Sequence, residues 1–124
     1  MIEDRVTDGK RIAQLLASEL DGREDGDLNR IAVDGAEPDA EPSSTGTRAY
    51  DIMAEGAPIA TVYIQPDRAR IEFNHGVERA LETATEQNLR ARPAATDPPR
   101  TLVFVDDGGA VKRAVAVVVA AAAD

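Results

Sequence analysis

Asp106-Asp107-Gly108-Gly109 follows the apolar run Thr101 to Val105. Carboxylates at the carboxyl end of a buried strand, just ahead of a helix N-terminus, are where open α/β sheets set metal or phosphate ligands. The same four residues make an ordinary turn followed by a helix cap, and that reading is favoured here. His75, the only histidine, falls at a strand–helix junction three residues after Glu72, where an imidazole titrating near neutrality suits a general base or a metal ligand. No second histidine and no cysteine stand by to complete a common metal site, so capping or plain exposure is expected of it. Ser43 and Ser44 lack an activating motif, which leaves a Ser-His-Asp triad without support. No glycine pattern of the kind that cradles phosphates precedes a helix. No catalytic residue can be assigned on these grounds, and neither a cofactor nor a metal-ligating set is expected.

Arginine is the other chemically loaded residue type. Arg68, Arg70, Arg79, Arg90, Arg92 and Arg100 cluster in the second half of the chain, a pattern that suits an anionic partner. Glu72, Glu78, Glu82 and Glu86 are interleaved with them, and a solvated ion-pair surface is the expected outcome. The first half differs in sign. Residues 1–62 hold 14 acids and 6 bases, whereas residues 63–124 hold 9 and 8. Residues 19–41 alone carry nine acids against Arg23 and Arg30, a field that repels phosphate backbones and anionic membranes. No nucleic-acid or membrane partner is therefore expected. A weaker alternative is that the acidic stretch mimics nucleic acid for a basic protein partner.

These residues must be positioned by a lean chain. Val, Ile, Leu and Phe supply 27 of 124 residues and alanine another 22, so each buried position removes little area from water. A net charge of −9, with 12 Arg and only two Lys, matches surfaces adapted to molar salt. The acidity then reports the solvent before it reports a partner.

Helical spacing of Val6, Ala13, Leu16 and Leu20, with Ile2 ahead of them, predicts an amphipathic first helix that Thr7 or Asp8 caps and Asp21-Gly22 ends. A short strand over Leu28 to Val33 comes next. An exposed, mobile acidic loop is expected at about residues 35–46, where Pro38, Pro42 and a Ser-Ser-Thr-Gly run accumulate. Thr47 to Phe73 alternates as a three-stranded meander, with turns at Glu55-Gly56-Ala57-Pro58 and Gln65-Pro66-Asp67-Arg68. A helix from about Gly76 to Leu89, capped by Asn74 or His75, would direct Val77, Ala80, Leu81 and Ala84 inward. A Pro-containing link spans Arg90 to Arg100, and Thr101 to Val105 forms a buried strand that the helical crossover sets parallel to its predecessor. Residues 110–123 read as strand or helix. Length and alanine content favour helix, with Val111, Val115, Val118 and Ala122 as its stripe.

Helix, three strands, helix, strand is also the core order of the restriction-endonuclease-like nucleases. Asp67 and Glu72 are the acids on offer for such a site. Asn74 stands two residues beyond Glu72, however, and no lysine lies between Lys10 and Lys112, so the active-site pattern is absent. Three segments, Val6 to Ala13, Ala60 to Arg68 and Asp97 to Val105, make the chain similar to a family of small uncharacterised acidic proteins of haloarchaea. That resemblance implies a cytoplasmic, salt-adapted origin and transfers no functional residue.

The expectation is a single α+β domain over 1–124: two layers, with a mixed, mainly antiparallel sheet and helices on one face. The function it best suits is a non-catalytic interaction or accessory protein, homodimeric through the apolar C-terminal stripe or bound to another protein. The alternative is a small metal-dependent enzyme or small-anion-binding domain using Asp106 and Asp107. A basic, apolar leader is missing from Met1-Ile2-Glu3-Asp4-Arg5, and the longest uncharged apolar run, Ala114 to Ala123, is half of the roughly 20 residues needed to span a bilayer. A cytoplasmic location follows as an expectation. Repulsion within 19–41 predicts a melting temperature that rises by several degrees from tens of millimolar to molar KCl as the charges are screened. A flat profile on calorimetry would contradict it.

Overall fold

A computed structural model describes residues 6–21 and 31–124. Helix α1 (Gly9–Asp21) is followed by β1 (Ile31–Asp34), β2 (Thr47–Ala54), β3 (Ala57–Gln65) and β4 (Arg68–Phe73), then α2 (Val77–Glu86), β5 (Ala91–Ala94), β6 (Arg100–Val105) and α3 (Val111–Ala122). The six strands form one open sheet in the order β1-β2-β3-β4-β6-β5, with every neighbouring pair antiparallel. The α+β reading holds, with helices on one face. The parallel crossover does not. The chain leaves α2 into β5 on the sheet edge and turns back into β6, so β6 lies antiparallel to β4. The link expected from Arg90 to Arg100 thus contains a strand. Pro93 is tolerated there because β5 is an edge strand with one free side.

Asp8 caps α1 as expected, its Oδ1 accepting from the amides of Lys10 and Arg11 at 3.0 and 3.2 Å. Ile12, Ala13, Leu16 and Leu20 are buried against the sheet. Ile2, Gly22 and the segment Leu28 to Arg30 of the expected β1 lie outside the described residues. The meander follows its turn chemistry, since Glu55 and Gly56 both take positive φ, 50° and 83°, in the β2–β3 hairpin.

Neither Asn74 nor His75 caps α2. The N-cap is Gly76 at φ 60°, with no side-chain cap, and His75 Nε2 instead lies 3.1 Å from the backbone oxygen of Asp124. At the other end Arg113 Nη1 donates to Gln87 O at 3.0 Å, satisfying a terminal carbonyl of α2 from α3. The C-terminal segment is a helix, buried through Val111, Ala114, Val117, Val118 and Ala121. Its apolar stripe is rotated from the expected one, leaving Val115 and Ala122 half-buried.

The helix layer meets the sheet through small residues and a few directed bonds. Tyr50 donates its buried hydroxyl to Ala13 O at 2.7 Å, and burial pushes that phenol above its ordinary pKa. Thr101 Oγ1 donates to Val77 O at 2.6 Å. The tightest approach is at Gly9, whose amide donates to Pro66 O at 3.2 Å. A Cβ there would sit 1.8 Å from the carbonyl oxygen of Gln65 and 2.5 Å from that of Arg68. Backbone oxygens cannot swing aside, so Gly9→Ala is expected to cost about 2 kcal/mol or more. The melting temperature should fall by several degrees, and an unchanged value would show that α1 does not dock against the β3–β4 turn.

Candidate site on the open face of the sheet

Strand alternation divides β4 cleanly. Ala69, Ile71 and Phe73 are buried under the helices, while Arg68, Arg70 and Glu72 point to the uncovered face. The same division puts Thr61, Tyr63 and Gln65 of β3 and Leu102 and Phe104 of β6 on that face. Pairing then aligns one residue per strand across the sheet: Arg48 opposite Tyr63, Tyr63 opposite Arg70, and Arg70 opposite Phe104. Phe104 N in turn donates to Arg90 O at 2.9 Å. A transverse row of alternating arginine and aromatic residues results. Arg70 stacks over the Tyr63 ring with its guanidinium carbon 4.8 Å from the centroid, and Arg68, Arg90 and Arg92 surround Phe104 at 4.4, 5.0 and 5.8 Å.

Arg48 joins the row because β2 is irregular. The register shifts between Arg48, opposite Tyr63, and Tyr50, opposite Val62. The extra residue, Ala49, sends Tyr50 to the helix side while Arg48 stays on the open side.

Carboxylates neutralise part of this row. Glu72 pairs with Arg70 at 3.0 Å and Arg100 at 3.6 Å. Asp51 accepts from Arg48 Nη2 at 3.0 Å and from Thr61 Oγ1 at 2.8 Å. Arg90 lies 3.5 Å from Asp106, with both side chains more than half exposed. Arg68 Nε donates to the neutral Gln65 amide oxygen at 2.9 Å, and among the described residues neither Arg68 nor Arg92 has a carboxylate within ion-pair distance. The expected ion-pair surface is therefore incomplete at the β5–β6 end. Arg79, from the same cluster in the sequence, belongs elsewhere, on α2 beside Glu82 at 3.6 Å.

The rim of the face is built by the acidic loop at 35–46. Its backbone is tied by Glu37 N to Ala49 O and Ser43 N to Ile64 O. Gln65 Nε2 and Arg70 Nη1 reach Ser44 O and Thr45 O. Gly46, at φ 96°, leaves room for Arg70: a Cβ there would lie 2.9 Å from Arg70 Nη2.

The residues singled out for catalysis or metal binding are not brought together. Asp107 accepts from Ala110 N at 3.0 Å and caps the single 3-10 turn, Gly108–Ala110, that leads into α3. Asp106 points instead to Arg90. Ser43 bonds Thr47 through its hydroxyl at 3.0 Å, and His75 lies beside the backbone oxygen of Asp124. Asp67 sits exposed in the β3–β4 turn, five residues from Glu72, on the order of 16 Å along the strand. Among the described residues no three His, Asp or Glu side chains converge as a cation site. Nor, among them, is any helix long and apolar enough to cross a membrane.

Two concavities among the described residues bear on binding. One is a mostly apolar groove of about 230 Å³ between α1 and β2, walled by Ala13, Ala17, Val33, Ala49 and Tyr50, with Lys10, Gln14 and Glu37 also lining it. The other, about 210 Å³, is lined by Arg68, Arg90, Ala91, Arg92 and Phe104. The second gathers three guanidinium groups able to orient an anion, where the first offers a mostly apolar wall. Sequence reasoning found the arginines of this basin but missed its Phe104, and missed Tyr63 and Arg48 of the row beside it. The available signal was the Arg-x-Arg spacing at 68/70 and 90/92, which sets each pair on one face of a strand.

A family model matches residues 1–124. The chain belongs to DUF7993, a family of unknown function. No curated protein and no solved structure matches it. The family fits the resemblance to uncharacterised proteins carried by Val6 to Ala13, Ala60 to Arg68 and Asp97 to Val105.

Asp51 gives the face a pH signature. The hydrogen bond from Arg48, reinforced by Thr61, holds its carboxyl below the ordinary value against a smaller opposing effect of burial. Between that lowered value and about 3.9, the unfolded chain binds more protons than the folded one. The stabilisation is thus present above about pH 4 and is lost as pH falls through the folded value. Asp51→Asn should lower stability at pH 7 by about 0.5–1 kcal/mol and flatten the acid limb of the melting profile. Equal acid slopes in the two proteins would contradict this.

Proposed function

We propose that the protein is a non-catalytic accessory protein that works by binding an anionic partner on the open face of its sheet. The observation that carries this reading is the transverse row Arg48–Tyr63–Arg70–Phe104–Arg90, which no described helix covers, the three described helices lying on the opposite face. In a chain of net charge −9, positive charge and aromatic rings coincide on this surface of the described residues. Guanidinium planes supported by rings are pre-organised donors for carboxylate and phosphate oxygens. We read the protein as cytoplasmic and salt-adapted, of haloarchaeal type, on the strength of its acid excess and scarce lysine.

Self-association through α3 loses part of its motive, because Val111 and Val118 of the expected stripe are buried in the protein's own core while Val115 and Ala122 stay half-buried. A homodimer is retained only as an outcome of the light-scattering arm of the experiment below. The small enzyme using Asp106 and Asp107 recedes for a parallel reason: one acid caps a helix and the other pairs with Arg90.

A thermal-shift panel of carboxylate, sulfate and phosphate compounds in molar KCl tests the proposal, with light scattering on the same samples. An anion at about a hundred times its Kd adds about 2.7 kcal/mol, which moves a domain of this size by several degrees. At least one anion class is expected to shift the wild type, and to shift the double variant Arg70→Gln/Arg90→Gln, which breaks the row on both sides of Phe104, much less. Silence across the panel, or an equal shift in the variant, would contradict the proposal.

A further inference from the structure

We infer that the basin over Phe104 is a phosphate subsite, in which Arg68, Arg90 and Arg92 hold the terminal oxygens of a small phosphate monoester. The inference rests on the open-face reading above and names its ligand class. Three guanidinium groups from two sheet regions converge on one ring, at 4.4, 5.0 and 5.8 Å from its centroid. Arg68 enters from the start of β4, Arg90 from just before β5, and Arg92 from β5 itself. Their mutual repulsion is offset by the ring face and by one carboxylate, Asp106, 3.5 Å from Arg90. Two positive charges are left without a counter-charge. Although Arg90 and Arg92 are exposed and Arg68 is half-buried, Phe104 is only 6% exposed, so the ring is already covered by guanidinium planes. A ligand meets donors there, with the aromatic surface beneath them.

Charge and donor geometry select among anions. A phosphate monoester near neutrality carries about −1.5 to −2 charge and three terminal acceptor oxygens, matching two uncompensated charges and three donor forks. A carboxylate offers one charge and two oxygens. A phosphodiester offers one charge and two free oxygens per phosphate, and its polymer must also approach a chain of net charge −9. In molar salt the screening length is about 3 Å, so recognition there depends on direct contact, which is what the basin supplies. The basin is about 210 Å³, and Phe104 at its floor pairs across the sheet with Arg70, so the open face continues beside it.

The test is calorimetric titration of the full-length protein in molar KCl, free of phosphate and sulfate. The ligands are inorganic phosphate, ribose 5-phosphate, adenosine 5′-monophosphate, adenosine, succinate, and a short single-stranded oligonucleotide without terminal phosphates. Phosphate and both monoesters are expected to bind, adenosine not at all, and succinate and the oligonucleotide at least about tenfold more weakly. Arg68→Gln and Arg92→Gln should each weaken the monoesters about tenfold with unchanged circular dichroism. As a readout independent of any variant, phosphorus NMR of the bound monoester should give a second pKa below its usual value of about 6, because the basin favours the dianion.

Adenosine binding as well as its monophosphate, an oligonucleotide binding as tightly, or a phosphorus titration unmoved by the protein would each overturn the inference. So would monoester binding indifferent to Arg68 and Arg92. If carboxylates bind through Arg70 while phosphates do not bind, this inference falls and the broader open-face reading stands.

Discussion

The two-residue period of β4 sorts the whole molecule. Arg68, Arg70 and Glu72 alternate with Ala69, Ile71 and Phe73, and β4 lies at the middle of the sheet between β3 and β6. A shift of one residue would bury two arginines and expose Ile71 and Phe73, so the register is strongly determined. Once β4 is fixed, β3 and β6 must bring their own inward sets, Ala60, Val62 and Ile64 on one side and Thr101, Val103 and Val105 on the other, onto the same face. The three helices among the described residues then cover that face, and none of them lies on the other.

A core of small residues makes this arrangement workable. Alanines in α1, α2 and α3 bring helix backbones close to the sheet, and Gly9 permits direct contact with the β3–β4 turn. Alanine buries little apolar area per position, so directed bonds gain weight. Tyr50 to Ala13 O, Thr101 to Val77 O and Arg113 to Gln87 O each tie one element to another. The open face is stabilised differently, by arginines stacked on rings and shared among Asp51, Glu72 and Asp106.

Much of this was legible because it is local. Helical spacing located α1 and α2, alternation located the meander, and Asp8 was readable as a cap. Depth in the sheet was not legible. Prolines 93, 98 and 99 made the segment before β6 look like a link, although an edge strand of four residues accommodates Pro93, and with β5 unseen α2 became a parallel crossover. The arginine cluster could be read as a list but not as a surface. Its alignment with Tyr63 and Phe104 depends on cross-strand register, and Arg48 joins it only through the irregularity at Ala49. Asp106 and Asp107 were open to two readings because a cap and a ligand use the same residue types; only the bond from Ala110 N to Asp107 separates them.

The central claim is that the uncovered face is the working surface and that its ligand sits against β4, β5 and β6. Amide chemical-shift mapping of the isotope-labelled protein during titration with ribose 5-phosphate tests it most directly. The account predicts shifts concentrated at residues 68–70, 90–92 and 103–105, weakening across β3 toward Tyr63, with α3 and the apolar groove beside α1 unmoved. Shifts centred on α1 and Tyr50, on the Asp107 turn, or absent altogether would contradict it.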